Sequence, residues 1–298
     1  MLLLTRANLD GIACAVLITT MEQIEQVTYA EPRDIETEAV EVKPLCAIAN
    51  LPYHRNCSVW FDHHDKAELQ PLAKPSIKGL RGTAPSCARL VYNFYDTARL
   101  ARFDDFLREN DRIASAKLSA EEVLNPEGWV LLAYTLDSHM GIEVFAGYAN
   151  GLVSAIKTGA SIQHLLETPE VKGRVNRFKM DMDDFKEELG WISHLEGDVI
   201  VTDLRRTEIL PAGNRFVIFG LYPEAAVGLR ILKHSDPDMI AIRMAKSIFN
   251  RTCKVHLGHL AAEFGGGGLD GASGFVIPAN RSDEVVADLL QRLQSEEG

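Results

Sequence analysis

The chain contains no apolar run approaching the roughly 18 residues that a membrane-spanning helix requires, so no such span is expected. Cysteine is scarce and dispersed: Cys14, Cys46, Cys57, Cys87 and Cys253 are five in all. Their number is odd and their spacing is neither that of a zinc site nor that of a disulfide framework. Cys14, Cys46 and Cys87 sit in apolar contexts and read as structural thiols of a reduced, cytoplasmic protein. Positive charge is in deficit: 31 Lys and Arg against 42 Asp and Glu leave a net charge of −11. A general affinity for duplex DNA needs a basic surface, and this balance argues against one. It leaves room for a small phosphorylated ligand in a local pocket. Internal repeats and low-complexity tracts are also missing. The opening Met1–Arg6 is too short for a signal peptide and lacks a basic start, and reads as a first strand.

With 298 residues, 46% of them hydrophobic and 24% charged, the chain has material for two domains with ordinary cores. Short apolar runs at Leu2–Thr5, Gln26–Ala30, Leu45–Ile48 and Val59–Phe61 read as strands. They alternate with helical patterns at Ile12–Met21, Ser86–Phe106 and Trp129–Leu136. Strands alternating with helices predict a doubly wound α/β domain with a parallel sheet. A charged helix at Asn176–Glu188 closes it. A second alternation follows: strands at Val199–Thr202, Arg215–Phe219 and Met239–Met244, and helices at Pro223–Lys233, Val255–Phe264 and Ser282–Gln294. The expected division falls at Glu188–Gly197, giving a first domain at 1–190, a smaller α/β domain at 198–298, and a cleft between them.

The most informative stretch is Ser58–Asp65, S-V-W-F-D-H-H-D. An apolar run that stops at a carboxylate and two imidazoles reads as a buried strand delivering ligands to its C-terminal end, where open α/β sheets bind their ligands. Asp and neutral His are common divalent-metal ligands. Taken alone, the same residues read equally well as a surface turn. Three other segments follow apolar runs in the same way: Thr5–Gly11 with Asp10, Ala49–Pro52 with Asn50, and Thr135–His139 with Asp137. On one sheet edge, Asp10, His63, His64 and Asp137 would converge on a cation.

These motifs resemble the DHH phosphoesterase family with its associated C-terminal domain. The chain is similar to RecJ-type nucleases, oligoribonucleases and cyclic-dinucleotide phosphodiesterases, and, in the first domain, to family II pyrophosphatases. It is most like an exopolyphosphatase-related subgroup. The resemblance spans nearly the whole chain and rests on N-L-D-G at Asn8–Gly11, F-D-H-H at Phe61–His64 and G-T-A-P-S at Gly82–Ser86. L-D-S at Leu136–Ser138 and E-F-G-G-G-G at Glu263–Gly268 complete it. It implies a manganese site in which Asp10, His63 and Asp137 are metal ligands. Asp62 would orient the site, and His64 would face a substrate phosphate.

The match departs from the family at three positions. Asn8 and Asn50 stand where carboxylates belong, the second of them the bridging one, and Arg6 stands near the usual histidine. Amides are poorer ligands than carboxylates for a hard cation. Two remaining carboxylates suit one divalent ion, so one Mn2+, or none, is expected rather than two. Arg6 brings a fixed positive charge able to hold a phosphate oxygen bidentately. In the second domain, Arg251 and Thr252 match a substrate-contacting segment, and Gly265, Gly266, Gly267 and Gly268 would allow close approach of a phosphate or base. Leu269 replaces the histidine that ends this run in the family, and Asp270 adds a negative charge beside it. Two functions therefore stand: a metal-dependent phosphoesterase acting on a small phosphorylated or oligonucleotide substrate, or a degenerate member that binds a nucleotide-like ligand without hydrolysis.

Overall fold

Four short apolar segments between Leu2 and Phe61 pair into one parallel sheet. A computed structural model describes residues 1–63, 77–136, 142–207, 214 and 216–294. In chain order its elements are β1 (Leu2–Arg6), α1 (Leu9–Met21), β2 (Gln26–Ala30), α2 (Pro32–Glu36), β3 (Cys46–Ala49) and β4 (Cys57–Phe61). There follow α3 (Cys87–Tyr95), α4 (Asp104–Ala114), α5 (Ala120–Leu124), α6 (Gly128–Tyr134), α7 (Ile142–Lys157), α8 (Ile162–Glu167) and α9 (Pro169–Ile192). By internal contacts the chain forms two units, Met1–Lys117 with Glu127–Asn176 and Leu118–Pro126 with Arg177–Gly298. The junction thus falls inside α9, whereas the sequence places it at 188–197.

The first unit carries the sheet in the order β2-β1-β3-β4. The chain leaves β1 for β2 on one side and returns for β3 on the other. The strand order therefore reverses between β1 and β3, and the crevice beyond their C-terminal ends is the position where such sheets bind ligands. Helix α1 explains why no amphipathic stripe marks it in the sequence: every residue from Leu9 to Ile18 is buried, as expected of a helix covered on all sides. It packs on β1, α3, α4 and α7. Asn8 caps it, its side-chain oxygen accepting the Gly11 N–H at 2.8 Å. Gly11 is fixed by space, because a Cβ there would lie 1.9 Å from the Arg6 carbonyl oxygen.

The second unit contains β5 (Ser193–Glu196), β6 (Val199–Asp203), α10 (Val217–Leu221), β7 (Val227–Lys233) and β8 (Met239–Lys246). It ends with α11 (Leu257–Glu263), β9 (Gly267–Leu269), β10 (Ala272–Pro278) and α12 (Ser282–Gln294). Its sheet runs β5-β6-β7-β8-β10-β9, with only β6–β7 parallel. Leu257 and Leu260 of α11 share a core with Val285, Leu289 and Leu293 of α12 and the inner face of the sheet. The architecture is α/β in both units.

Two expected elements are exchanged. Of the strand expected at Arg215–Phe219, Val217–Phe219 belong to the short helix α10 and Arg215 lies outside the described residues, while the helix expected at Pro223–Lys233 holds strand β7. A five-residue apolar run has no period of its own. In β7 the alternation Val227, Leu229, Ile231 decides the matter, and all three are buried. The two elements meet closely: Phe219 of α10 seats its ring over Gly228, where an added Cβ would lie 3.1 Å from the ring.

Gly11→Ala is expected to cost at least about 3 kcal/mol, since it drives a methyl group into fixed backbone. Gly147→Ala, in α7 where an added Cβ meets nothing within 4 Å, should instead stabilise by about 0.5–1 kcal/mol through helix propensity. Urea unfolding followed by circular dichroism measures both, and equal effects would contradict the packing at the β1–α1 turn.

Candidate functional site

In the first unit β1, β3 and β4 are parallel. The residues that follow them, Asn8 with Asp10, then Asn50, then Asp62 with His63, therefore lie along one edge of the sheet. Asp10 is 3% exposed and accepts three N–H donors. Its Oδ2 accepts the Cys87 N–H at 2.9 Å, and its Oδ1 accepts the Ala88 N–H at 3.0 Å and Asn110 Nδ2 at 2.9 Å. The carboxylate thus sits on the N-terminus of α3, where unpaired amides and the helix dipole both favour negative charge. One lone pair remains on Oδ2, and His63 Nδ1 lies 3.9 Å from that oxygen. Asp62, 6% exposed, is held by its backbone: its N–H donates to Leu80 at 3.3 Å and its carbonyl accepts the Gly82 N–H at 3.2 Å.

Asn50 adopts a left-handed conformation, φ 58°. Its backbone N–H points at both the Phe61 carbonyl, 3.0 Å, and Cys87 Sγ, 3.1 Å. Its Nδ2 donates to Asn8 Oδ1 at 3.2 Å. That oxygen must accept, because the Gly11 N–H already donates to it, so the orientation of both amides is fixed by the network. Two carboxylates here would repel each other unless a cation lay between them; two amides hold each other directly. Asn50 Oδ1 is buried with no hydrogen-bond partner. An orphaned buried acceptor is costly and is the kind of atom that a cation or its water satisfies.

The donor chemistry therefore fits one cation: the free lone pair of Asp10 Oδ2, His63 and the Asn50 amide oxygen. No group of three or more His, Cys, Asp and Glu side chains among the described residues forms a metal cluster. Asp137, expected as a ligand, and His64, expected to face phosphate, lie outside the described residues. Arg6 Nε pairs with Glu31 at 3.4 Å, both residues about one-third exposed. A pair so exposed is worth no more than about 1 kcal/mol.

Several residues that support this site carry no signal in the sequence. Asn110 and Asp111, neighbours on α4, brace α3 from the far side. Asp111 accepts Ser86 Oγ at 2.5 Å and a two-nitrogen contact from Arg89 at 2.8 and 2.5 Å. Thr5, fully buried, donates its hydroxyl toward Gly11 and Ala49 carbonyls at 3.2 and 3.1 Å. Cys14 and Cys87 lie beneath, and burial pushes both thiols up from their ordinary acidity.

In the second unit Arg251 and Thr252 are exposed on the loop before α11. Thr252 donates to Asn250 Oδ1 at 2.8 Å, and Asn250 Nδ2 donates to the Glu224 carbonyl at 2.7 Å. The glycine run is used by the fold itself. Gly265 turns at φ 77°. A Cβ on Gly266 would lie 2.3 Å from that of Phe275, and one on Gly268 2.4 Å from the Ala272 carbonyl oxygen. Gly265 and Gly267, the latter in edge strand β9, face open space on the side where a Cβ would stand.

No family model matches the chain, and no curated protein sequence does. Among solved structures it is similar to a pGpG-specific phosphodiesterase, PggH from Vibrio cholerae. The identity is 29% over 98% of each chain, with a TM-score of 0.83. This full-length likeness is consistent with the DHH phosphoesterase family. RecJ from Thermus thermophilus, in complex with Mn2+, shares the fold at 14% identity and a TM-score of 0.57; the chain spans 52% of its length. The same RecJ with Mg2+ gives a TM-score of 0.52. The strand-end carboxylate, the histidine after β4 and the crevice where the strand order reverses are the places to test.

Asp10→Asn is isosteric, yet an amide must turn its NH2 toward one of three converging N–H donors. A loss of at least about 2 kcal/mol is expected from the resulting unpaired buried donors. Denaturant unfolding in the presence of chelator measures this apart from any metal, and an Asp10→Asn chain as stable as the native one would remove the structural role assigned to this carboxylate.

Proposed function

We propose that this chain is a metal-dependent phosphodiesterase acting on a short oligonucleotide. The observation that carries the reading is the full-length similarity to a pGpG-specific phosphodiesterase, joined to a strand-end donor set suited to one cation. Asp10 and His63, with the Asn50 amide oxygen and Asp137 as fourth donor, would hold that ion. Mn2+ is the ion proposed. When bound, such an ion supplies a water of lowered pKa and neutralises charge on the phosphoryl oxygens.

The chain's own residues do the rest. Asp10 is preset by α3 and Asn110, so its remaining lone pair points in one direction without reorganisation. Asp62, immobilised through its backbone, orients the histidine that follows it. Arg6 leaves Glu31 for a non-bridging phosphate oxygen, an exchange of one exposed ion pair for a bidentate one. His64 donates to the same phosphate. In the second unit Arg251 and Thr252 are the proposed substrate contacts.

The Asn8–Asn50 contact favours a second reading, a protein that binds such a ligand without cleaving it, because it closes the second ion's position with neutral amides. Turnover decides between the two. Full-length protein loaded with Mn2+ is expected to hydrolyse pGpG, to lose that activity with chelator, and to bind one ion per chain by elemental analysis. Two fully occupied sites about 3.5–4 Å apart, the two-metal spacing, would refute the one-ion assignment, and absence of turnover in loaded protein would leave the binding reading.

Rebuilding the second position is the complementary test. Asn8→Asp with Asn50→Asp and Arg6→His should raise turnover of an aryl phosphodiester in Mn2+ by at least about tenfold, roughly 1.4 kcal/mol of barrier. The idea fails if the native chain already matches the rebuilt one, both folded and metal-loaded.

A further inference from the structure

The β9–β10 turn of the second unit gathers polar groups that phosphate contact does not explain. Lys246 Nζ bonds Asp270 Oδ1 at 2.7 Å, the lysine side chain 18% exposed and the carboxylate 59% exposed. Backbone contacts pin the turn from two sides: the Lys246 N–H donates to the Gly271 carbonyl at 2.9 Å and the Leu257 N–H to the Asp270 carbonyl at 3.3 Å. The first turn of α11 lies directly on it, since a Cβ on Gly258 would stand 2.5 Å from the Gly268 carbonyl oxygen. This brings His256 and His259 alongside. Their rings stack at 3.7 Å with 15° between planes, and His256 Nδ1 accepts the His259 N–H at 3.1 Å, which fixes the ring. Leu269, an exposed apolar side chain, flanks Asp270. The hydrogen bond from Lys246, and after it the charges of Lys246, His256 and His259, hold the Asp270 carboxyl below the ordinary range.

A carboxylate joined to an ammonium beside a flat aromatic stack is complementary to one nucleobase edge. Guanine presents N1–H and N2–H as adjacent donors and O6 as the adjoining acceptor. Both oxygens of Asp270 retain lone pairs, Oδ1 included, so they accept the two N–H groups. Lys246 Nζ, already anchored on Oδ1, has protons left for O6 on the adjoining side. Adenine would turn the N1 lone pair on the carboxylate and its amino group on the ammonium. Uracil would turn O2 on the carboxylate. The imidazole planes supply the stacking surface that holds an unpaired base. An aspartate beside an exposed leucine is poor for phosphate and good for a base.

We propose that the β9–β10 turn and the first turn of α11 form a guanine-binding subsite, in which Asp270 and Lys246 read the base edge and His256 and His259 carry its face. It deepens the phosphodiesterase reading, on which it rests only for the rest of the ligand.

Ligand-observed saturation-transfer NMR on the full chain in chelator tests the subsite without hydrolysis. The probes are the 5′-monophosphates of guanosine, adenosine and uridine. The guanosine nucleotide should bind at least about tenfold tighter than the other two, within the range of one bidentate base contact. Asp270→Asn should reduce that preference to about twofold, with adenosine nucleotide binding unchanged. His259→Ala should weaken all three alike and keep the preference. Lys246→Gln, compared with native protein by thermal unfolding, serves if Asp270→Asn fails to fold, and should likewise shrink the preference. No binding, equal binding of the three nucleotides, or a preference that survives loss of the carboxylate or the ammonium overturns the subsite. Selective guanosine binding without pGpG turnover removes the hydrolysis reading and keeps the subsite, whereas pGpG turnover without base preference does the reverse.

Discussion

Three N–H groups converge on the Asp10 carboxylate, and most of the first unit's strand-end geometry follows from that convergence. A buried carboxylate is tolerable only when its charge is met by donors, and here two come from the backbone at the start of α3 and one from Asn110 on α4. The same carboxylate belongs to the first turn of α1. One side chain therefore ties three helices to the ends of β1, β3 and β4. Cys87 extends the tie, because its backbone serves Asp10 while its sulfur receives the Asn50 N–H and donates to the Phe61 carbonyl at 3.3 Å. Moving any one of these groups moves the others.

The parallel sheet and the gathering of polar residues along one of its edges were legible in the sequence because short apolar runs ending in polar residues carry both pieces of information at once. Val59–Phe61 running into Asp62 and His63 states a strand and the polar end at which it stops. The departures at Asn8 and Asn50 were legible as missing carboxylates, but not as a mutual hydrogen bond, which depends on how β1 and β3 lie side by side. Asn110 had no signal at all: an asparagine within a charged helix looks like any solvated one until α4 is placed against α3. Its contact with Asp10 spans 100 residues, and local pattern does not reach that far.

In the second unit the amphipathic α12 was read correctly at both ends, since Val285, Leu289 and Leu293 recur at helical spacing over a polar face. The exchange of helix and strand at 215–233 shows the opposite limit. There one run is too short to carry a period of its own, and in the other the alternation Val227, Leu229, Ile231 sets the strand. The glycine run was legible as a special backbone. Its main use, close packing of β9 against β10 and of α11 against β9, became visible only with the strand pairing.

The ends of the six-stranded sheet bear on how copies of this chain tolerate one another at high concentration. One edge, β9, is only three residues long and two of them are glycine; the other, β5, is four residues with His194 and Glu196 on its exposed side. An exposed strand edge is a template for another chain's backbone, and short, glycine-rich or charged edges are poor templates. Neither end of this sheet offers a neighbouring molecule a long apolar row of unpaired amides. The glycines that fit α11 closely to the sheet thus also guard against edge-to-edge polymerisation.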